Sequence, residues 1–373
     1  MSLRDDLAAS GATVVEEAQG GYRVSPPSIA SLGRAVAVVR AWKLPLRVRG
    51  SADAPVHPPP KGVLLDLGSL DRIASVDGVT GIARVEAGCS VAALEAAARR
   101  AGSTLGPLLP SVRAGSVGAW LAGPTRGERG IPGARRETAA LSVAAVLADG
   151  HIAESRAAPR SATGPDLDHL ALGGGGRLCV VAAAWIRLFP VAPALAGSWA
   201  CRDLAMAVAG LERLCHDRVA PARARIVAGA DSTRLAAAWE GLETAPMDRD
   251  RASRILGTLG ISPDGDHGAN RWVREPPSGH PVEVDARWAS LRGWSQQGEL
   301  QLLGLHAGGA FATLILPEAG GAEECAALAR AAGARVIAPR RMRDPGPAWD
   351  AMGAGAVWKR LIEALGVEEA PAP

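Results

Sequence analysis

The stretch that decides the fold is TGPDLDHLALGGGGRLCVVAAAWIRL, residues 163–188. It places one or two helical turns first, then four glycines at 173–176, then an apolar run typical of a buried strand. A Rossmann dinucleotide site has the reverse order, because its glycines follow a strand and open the helix whose N-terminus meets the pyrophosphate. The sequence therefore argues against a Rossmann site, and leaves a flexible helix-to-strand connection as the alternative to a ligand loop of another kind.

Three earlier segments form a pattern with this stretch. Residues 46–53, LRVRGSAD, run from a short strand into a glycine turn, and residues 110–122, PSVRAGSVGAWLA, run from a loop into a helix of small residues. Residues 133–150 pass from a glycine and two arginines through an apolar strand to an Asp-Gly turn. Any one match is weak. All four in this order resemble the FAD-binding domain of the FAD-linked oxidases of the vanillyl-alcohol oxidase and p-cresol methylhydroxylase (PCMH) type.

The resemblance implies an α+β fold, in which a two-subdomain PCMH-type FAD-binding domain is followed by a small α+β cap domain. We expect a poorly anchored N-terminal lead-in at residues 1–20, the FAD-binding domain at 21–192, the cap or substrate domain at 193–366 and a disordered tail at 367–373. In the FAD-binding domain we expect helices at Ser28–Lys43 (with Ser28 as cap) and Val91–Gly102, and strands at Leu46–Val48, Gly62–Leu67, Ala83–Gly88 and Val143–Leu147.

The cofactor that the resemblance implies is FAD, whose pyrophosphate can be held by backbone N–H groups without a lysine. Glycine is favoured where the backbone approaches a phosphate, because a Cβ atom would block the contact. Arg49 is interpreted either as electrostatic support for the first loop or as a surface charge at a strand end. The positions that the resemblance assigns to cofactor binding are Arg49, Gly50, Ser51, Ala52, Asp53, Pro110, Gly115, Ser116, Val117, Gly118, Ala119, Ala122, Gly133, Gly164, Asp166, Gly173, Gly175, Gly176, Val180 and Val181.

The chain departs from the family pattern in each loop. The first loop has one glycine and an added acidic residue, Asp53; the second has Ala119 in place of a glycine; the third lacks the family's serine, with Gly174 there. A lost charge-assisted hydrogen bond costs about 1.5–3 kcal/mol, and about 1.4 kcal/mol is tenfold in affinity. Tight non-covalent binding, weak binding and loss of FAD therefore all stay open on the sequence.

Covalent attachment of FAD is not expected. Relatives that tether the cofactor carry a histidine in the first loop, and residues 47–56 contain none. His57 fits an exposed loop histidine, and Cys89 fits a small buried residue better than a flavin ligand. The resemblance thus implies non-covalent FAD.

Composition excludes several classes of protein. A chain of 373 residues with 48% hydrophobic residues is long enough for two domains with substantial cores. A formal charge of +3 and scattered arginines do not favour nucleic-acid binding. The five cysteines form no C-x-x-C pair, so no metal site is expected, and their odd number and wide spacing favour a cytoplasmic protein. Neither a signal peptide nor a membrane span is predicted.

The second half predicts a sheet covered by helices. Helices are expected at Leu204–Cys215, Asp248–Gly257 and Glu323–Ala332, strands at Ala224–Ala228, Ser232–Trp239 and Arg335–Ala338, and a hairpin of Glu299–His306 with Phe311–Leu316. Length and the short cap are most similar to the small FAD-binding subunit of glycolate oxidase. That likeness implies oxidation of a small hydroxy acid such as glycolate by hydride transfer to FAD, with a larger flavin subunit and an iron–sulfur subunit as possible partners.

The sequence nominates no catalytic residue. His306 is predicted to be a structural histidine at a strand end, and Trp120 to pack in the core rather than line a flavin slot. Arg126, Arg129, Arg135 and Arg136 fit a solvated basic loop better than a carboxylate clamp. An alternative function is therefore a degenerate flavin-fold protein that binds FAD weakly or not at all and serves as a non-catalytic assembly subunit.

Overall fold

The computed structural model describes residues 2–17, 20–50, 57–106, 108, 110–123, 136–158, 168–176, 178–228, 233–241, 244–265, 282–292, 298–306, 308–315, 322–331 and 333–336. Within these ranges the chain forms two compact units that divide between Pro190 and Val191. Each unit combines helices with β-sheet, which confirms the α+β class. No helix in the described ranges is long and apolar enough to cross a bilayer.

The first unit is built on two larger sheets and one two-stranded sheet. Its elements, in chain order, are α1 (Leu3–Ala9), β1 (Thr13–Glu17), β2 (Gly21–Ser25), α2 (Ile29–Ala41), β3 (Leu46–Arg49), β4 (Val63–Asp66), β5 (Ile73–Asp77), β6 (Ile82–Glu86), α3 (Val91–Arg100), β7 (Ser103–Thr104), α4 (Pro110–Arg113), α5 (Val117–Ala122), α6 (Arg136–Ala139), β8 (Ala140–Leu147), β9 (Ile152–Glu154), α7 (Asp168–Ala171), β10 (Cys179–Arg187) and β11 (Phe189–Pro190). A four-stranded sheet has the order β1-β2-β4-β3, and β4 pairs in parallel with both of its neighbours. A five-stranded antiparallel sheet has the order β5-β6-β10-β8-β9.

The N-terminal segment is anchored, which corrects the expectation of a loose lead-in at residues 1–20. Leu7 of α1 is fully buried, and β1 pairs with β2 along its whole length. Trp42, which directly follows α2, is 42% exposed, and its indole N–H donates to Asp6 Oδ2 of α1 (2.9 Å). A seven-residue helix with one buried leucine carries almost no periodic signal, so its sequence did not reveal it.

The second unit is built on one eight-stranded antiparallel sheet. Its elements are β12 (Ala194–Cys201), α8 (Leu204–His216), β13 (Arg223–Ala228), β14 (Thr233–Glu240), α9 (Thr244–Thr258), β15 (Ser262–Pro263), β16 (Val282–Arg287), α10 (Trp288–Arg292), β17 (Gly298–His306), β18 (Gly309–Ile315), α11 (Ala322–Ala331) and β19 (Arg335–Val336). The strand order is β15-β12-β14-β13-β17-β18-β16-β19. The predicted hairpin is β17–β18, and Trp199 packs edge-on against Trp239 in the core, with ring centroids 6.0 Å apart.

Asp203 caps α8 and gives a testable pH dependence. Its Oδ1 accepts from the Met206 N–H (2.8 Å) and its Oδ2 from Arg202 Nε (2.9 Å), and these bonds, the backbone one first, lower the pKa of Asp203 below 3.8. A carboxyl whose folded pKa is lowered stabilises the fold above its unfolded pKa, and this contribution is lost as the pH falls through the folded pKa. Asp203→Ala should cost about 0.5–2 kcal/mol at neutral pH.

Asp203→Asn is the matched control, because asparagine caps a helix as well as aspartate does but cannot ionise. In thermal unfolding between about pH 7 and pH 3, the advantage of wild type over the asparagine variant should shrink as the pH falls. A difference between the two proteins that is constant over this range would contradict the assignment of Asp203 as a charged cap.

Candidate functional site

Three loops of the first unit meet at the carboxyl end of β3. Gly50 directly follows β3, and a Cβ atom built on it would lie 1.9 Å from Ser116 Oγ in the second loop. A Cβ atom built on Gly176 would lie 3.4 Å from Val48 Cγ2 of the same strand. Segments that are far apart in sequence are therefore in direct contact. We call the backbone amides of Gly50, Ser116 and Gly176, with the Ser116 hydroxyl, the amide cradle.

The amide cradle carries donors that the protein does not use. The backbone N–H groups of Gly50, Ser116 and Gly176 donate no hydrogen bond within the part of the chain that the structure describes. The Ser116 hydroxyl accepts from the Ala119 N–H (3.2 Å) and keeps its own proton for another acceptor. Ser116 is fully buried, where polar groups are nearly always hydrogen-bonded. The arrangement therefore suits an anionic acceptor.

The first turn of α5 offers no further donors, although the resemblance assigns it to cofactor binding. The Val117 N–H donates to the Cys89 carbonyl (2.9 Å), and the Gly118 N–H donates to the Ala87 carbonyl (2.7 Å). The Ala119 N–H is bonded to the cap hydroxyl. The first two groups fasten α5 to the segment that follows β6, and the third caps α5 itself, so all three shape the site without facing a ligand.

The two glycines of the second loop, Gly115 and Gly118, differ in how much space a Cβ atom would have. A Cβ atom on Gly118 would lie 3.0 Å from both the Cβ and the carbonyl oxygen of Ala87, so α5 packs against the segment after β6 at a distance that only glycine allows easily. A Cβ atom on Gly115 would approach nothing closer than 3.5 Å, which is ordinary contact. Gly115 also uses its N–H internally, as a donor to the Val112 carbonyl (3.1 Å).

The four-glycine loop caps the far end of α5. The Gly173 N–H donates to the Leu121 carbonyl (2.9 Å) and the Gly175 N–H donates to the Ala122 carbonyl (2.7 Å). Gly173, Gly175 and Gly176 all have positive φ (74°, 62° and 76°), a conformation that residues with a side chain rarely adopt. The conformation of the turn thus requires these glycines. The Gly176 amide belongs to the amide cradle.

Arg136 is a buried structural residue, which corrects its assignment to a solvated basic loop. It is 6% exposed, and its Nη1 donates to the carbonyl of Gly123 just beyond α5. The guanidinium lies so close to Gly173 that a Cβ atom there would be 2.2 Å from Nη2. Arg126, Arg129 and Arg135 lie outside the described residues.

The remaining assigned positions fall into three groups. Arg49 forms an ion pair with Asp66 of the adjacent strand (Nη1 to Oδ2, 3.9 Å), with both side chains largely buried. Val180 and Val181 lie in β10 with buried side chains, and Pro110 begins α4. The positions that lie outside the described residues are Ser51, Ala52, Asp53, Gly133, Gly164 and Asp166.

Cys89 is buried and His57 is exposed, as the sequence predicts, and His306 lies at a strand end. Cys89 is 1% exposed, and burial raises the pKa of its thiol to about 11, so it stays protonated at neutral pH. The side chain of His57 is 76% exposed and lies 3.4 Å from Glu17 Oε2 (from Nδ1). His306 ends β17, opposite Gly309. Within the described ranges, no cluster of three or more acidic, histidine or cysteine side chains could hold a metal ion.

The first unit contains a region that is similar to known FAD-binding proteins. Residues 21–156 match a family described as FAD binding domain. The FAD-linked oxidoreductase YgcU of Escherichia coli (strain K12) is 29% identical over 131 residues, which are 35% of this chain and 27% of the relative. An alkyldihydroxyacetonephosphate synthase of Caenorhabditis elegans is 26% identical over 144 residues, which are 39% of this chain and 24% of the relative. The chain thus matches about a quarter of the length of each curated relative.

Solved structures show the same architecture at low sequence identity. An alkyldihydroxyacetonephosphate synthase structure superposes with a TM-score of 0.68 at 15% identity, over 92% of this chain and 74% of that one. A structure of p-cresol methylhydroxylase with substrate bound superposes with a TM-score of 0.58 at 14% identity, over 89% of this chain and 85% of that one. At these identities the likeness establishes the fold.

Proposed function

We propose that this chain, whose first unit is an FAD-binding domain with the PCMH-type fold, is an FAD-dependent oxidoreductase or the FAD-binding subunit of one. The observation that carries the proposal is the amide cradle. A pyrophosphate is an acceptor-only anion, and the cradle offers three unused N–H groups and a hydroxyl from three loops. Glycine at position 50 lets the Ser116 side chain lie directly against the end of β3, because a Cβ atom there would be 1.9 Å from Ser116 Oγ.

The reaction that we propose is the oxidation of a small hydroxy acid such as glycolate. When bound, FAD supplies a ring that takes up a hydride from such a substrate. The role of the described residues is to hold and orient the cofactor non-covalently, with the ion pair of Arg49 and Asp66 fixing the end of β3 beside the cradle. A larger flavin subunit and an iron–sulfur subunit are the proposed electron-accepting partners, in the cytoplasm.

A second candidate is a non-catalytic assembly subunit with weak FAD binding. The observation that favours it is the number of loop amides already bonded within the protein. Six of the assigned glycine and helix-start N–H groups have internal acceptors, which leaves three amides in the cradle. Each missing charge-assisted contact lowers affinity by roughly tenfold or more.

The experiment that separates the two candidates is the visible absorption spectrum of the purified protein, before and after acid precipitation. Flavin bands that move to the supernatant would establish non-covalent FAD, and anaerobic addition of glycolate or lactate should then bleach them. A colourless protein that stays colourless after incubation with FAD would overturn FAD binding. A yellow protein that no hydroxy acid bleaches, alone or with its partner subunits, would favour the assembly subunit.

A further inference from the structure

The indole of Trp120 is a buried donor without an acceptor. Trp120 is 4% exposed, and its Nε1 has no hydrogen-bond partner in the described part of the chain. An indole N–H can donate but cannot accept. Leaving such a group unbonded in a protein interior is unfavourable, and each case in a native structure calls for an explanation.

Trp120 shares helix α5 with Ser116 of the amide cradle, which is the N-cap of that helix. It lies in α5, four residues after the cap residue Ser116, and residues at this spacing share one face of a helix. Helical side chains lean toward the N-terminus of their helix, and the N-terminal end of α5 is where Gly50 meets Ser116. The opposite side of α5, at Gly118, packs against Ala87.

We propose that the Trp120 Nε1–H donates to an oxygen of the FAD pyrophosphate and supplements the amide cradle. A phosphate oxygen is a charged acceptor, so the bond would be stronger than one between neutral groups. It would also replace donors that the first turn of α5 uses to fasten itself to the segment after β6. The inference rests on the proposed FAD binding, and it assigns to Trp120 a role that the glycine pattern does not predict.

Trp199 offers a matched control for a variant in which Trp120 is replaced by phenylalanine. Trp199 also has a buried indole Nε1 without a partner among the described residues, at 1% exposure, but it lies in the core of the second unit. Trp120→Phe and Trp199→Phe each keep an aromatic ring and remove one unbonded N–H. Only the first should change cofactor binding.

The test titrates the FAD-free protein with FAD, ADP and riboflavin, and records the thermal midpoint without ligand. Trp120→Phe should weaken FAD and ADP at least about tenfold, a loss expected for a bond to a charged group. It should leave riboflavin binding unchanged and leave the ligand-free midpoint unchanged or slightly higher. Trp199→Phe should leave the affinity for FAD within about twofold of wild type.

Several outcomes would overturn the inference. The first is that Trp120→Phe binds FAD and ADP as tightly as wild type does. The second is that the variant loses as much affinity for riboflavin as for FAD. The third is that its thermal midpoint falls while its affinity for FAD does not change. If Trp120→Phe does not fold, hydrogen exchange of the indole N–H groups in the wild-type protein decides the question. Addition of ADP should slow the exchange of one of the ten tryptophans. If ADP slows the exchange of none of them, the proposed bond is refuted. If the wild-type protein binds neither FAD nor ADP, the proposed function is overturned as well. If the wild-type protein binds FAD and Trp120→Phe binds it equally well, only this inference is overturned.

Discussion

Replacing Gly50 by alanine is expected to weaken FAD binding at least about tenfold. The new Cβ atom would lie 1.9 Å from Ser116 Oγ and 2.9 Å from Ser116 Cβ, so Ser116 must move. The same hydroxyl caps α5 through the Ala119 N–H, and loss of such a cap costs about 0.5–2 kcal/mol. The displacement also carries two of the cradle's four donors away from the ligand. The dissociation constant for FAD, measured by fluorescence titration of the FAD-free protein, checks this prediction.

Gly115→Ala is the control for this variant, because it changes the same loop by the same methyl group. Its Cβ atom would meet nothing closer than 3.5 Å, and its backbone does not have positive φ. Its affinity for FAD should stay within about twofold of wild type. If Gly50→Ala and Gly115→Ala bound FAD equally well, the pyrophosphate could not lie at the amide cradle.

Several helices and strands of the first unit could be predicted because they carry a local signal. The apolar run after residue 178 is buried on both faces of β10, and Ser28 caps α2 through the Ser31 N–H (3.2 Å) as expected. In the second unit, the predicted hairpin is β17–β18. These features depend on residues close together in sequence, which is the range over which periodicity and capping act.

The use of each loop amide could not be predicted, because it depends on partners far along the chain. The motif at residues 115–118 suggests that all its N–H groups face a ligand. Val117 instead bonds to the Cys89 carbonyl, and Gly118 bonds to the Ala87 carbonyl. Nothing in the sequence pairs these two segments. The role of Arg136 was missed for the same reason, since an arginine in a glycine-rich stretch looks solvated until its distant partner Gly123 is known.

Gly88 is the position where one methyl group should do the most damage to the first unit. A Cβ atom there would lie 1.9 Å from the Leu67 carbonyl oxygen and 2.8 Å from that of Leu70, which already accepts from the Gly88 N–H (2.8 Å). Both obstacles are backbone atoms, so no side chain can rotate aside. Overpacking costs about 1–3 kcal/mol and more where the backbone must shift. For a unit of this size, about 3 kcal/mol lowers the thermal midpoint by roughly 6–12 °C.

Gly88→Ala should also weaken FAD binding, because the neighbouring carbonyls of Ala87 and Cys89 hold α5 in place. The transition to follow is the one that FAD shifts upward, since a ligand stabilises the unit that binds it. Gly257→Ala is the matched control: it lies in α9, where a Cβ atom would meet nothing within 4 Å, and alanine should stabilise this helix by about 0.5–1 kcal/mol. A Gly88→Ala protein whose FAD-sensitive transition stayed within about 2 °C of wild type would show that the segment after β6 is not packed as tightly against Leu67 and Leu70 as the structure has it.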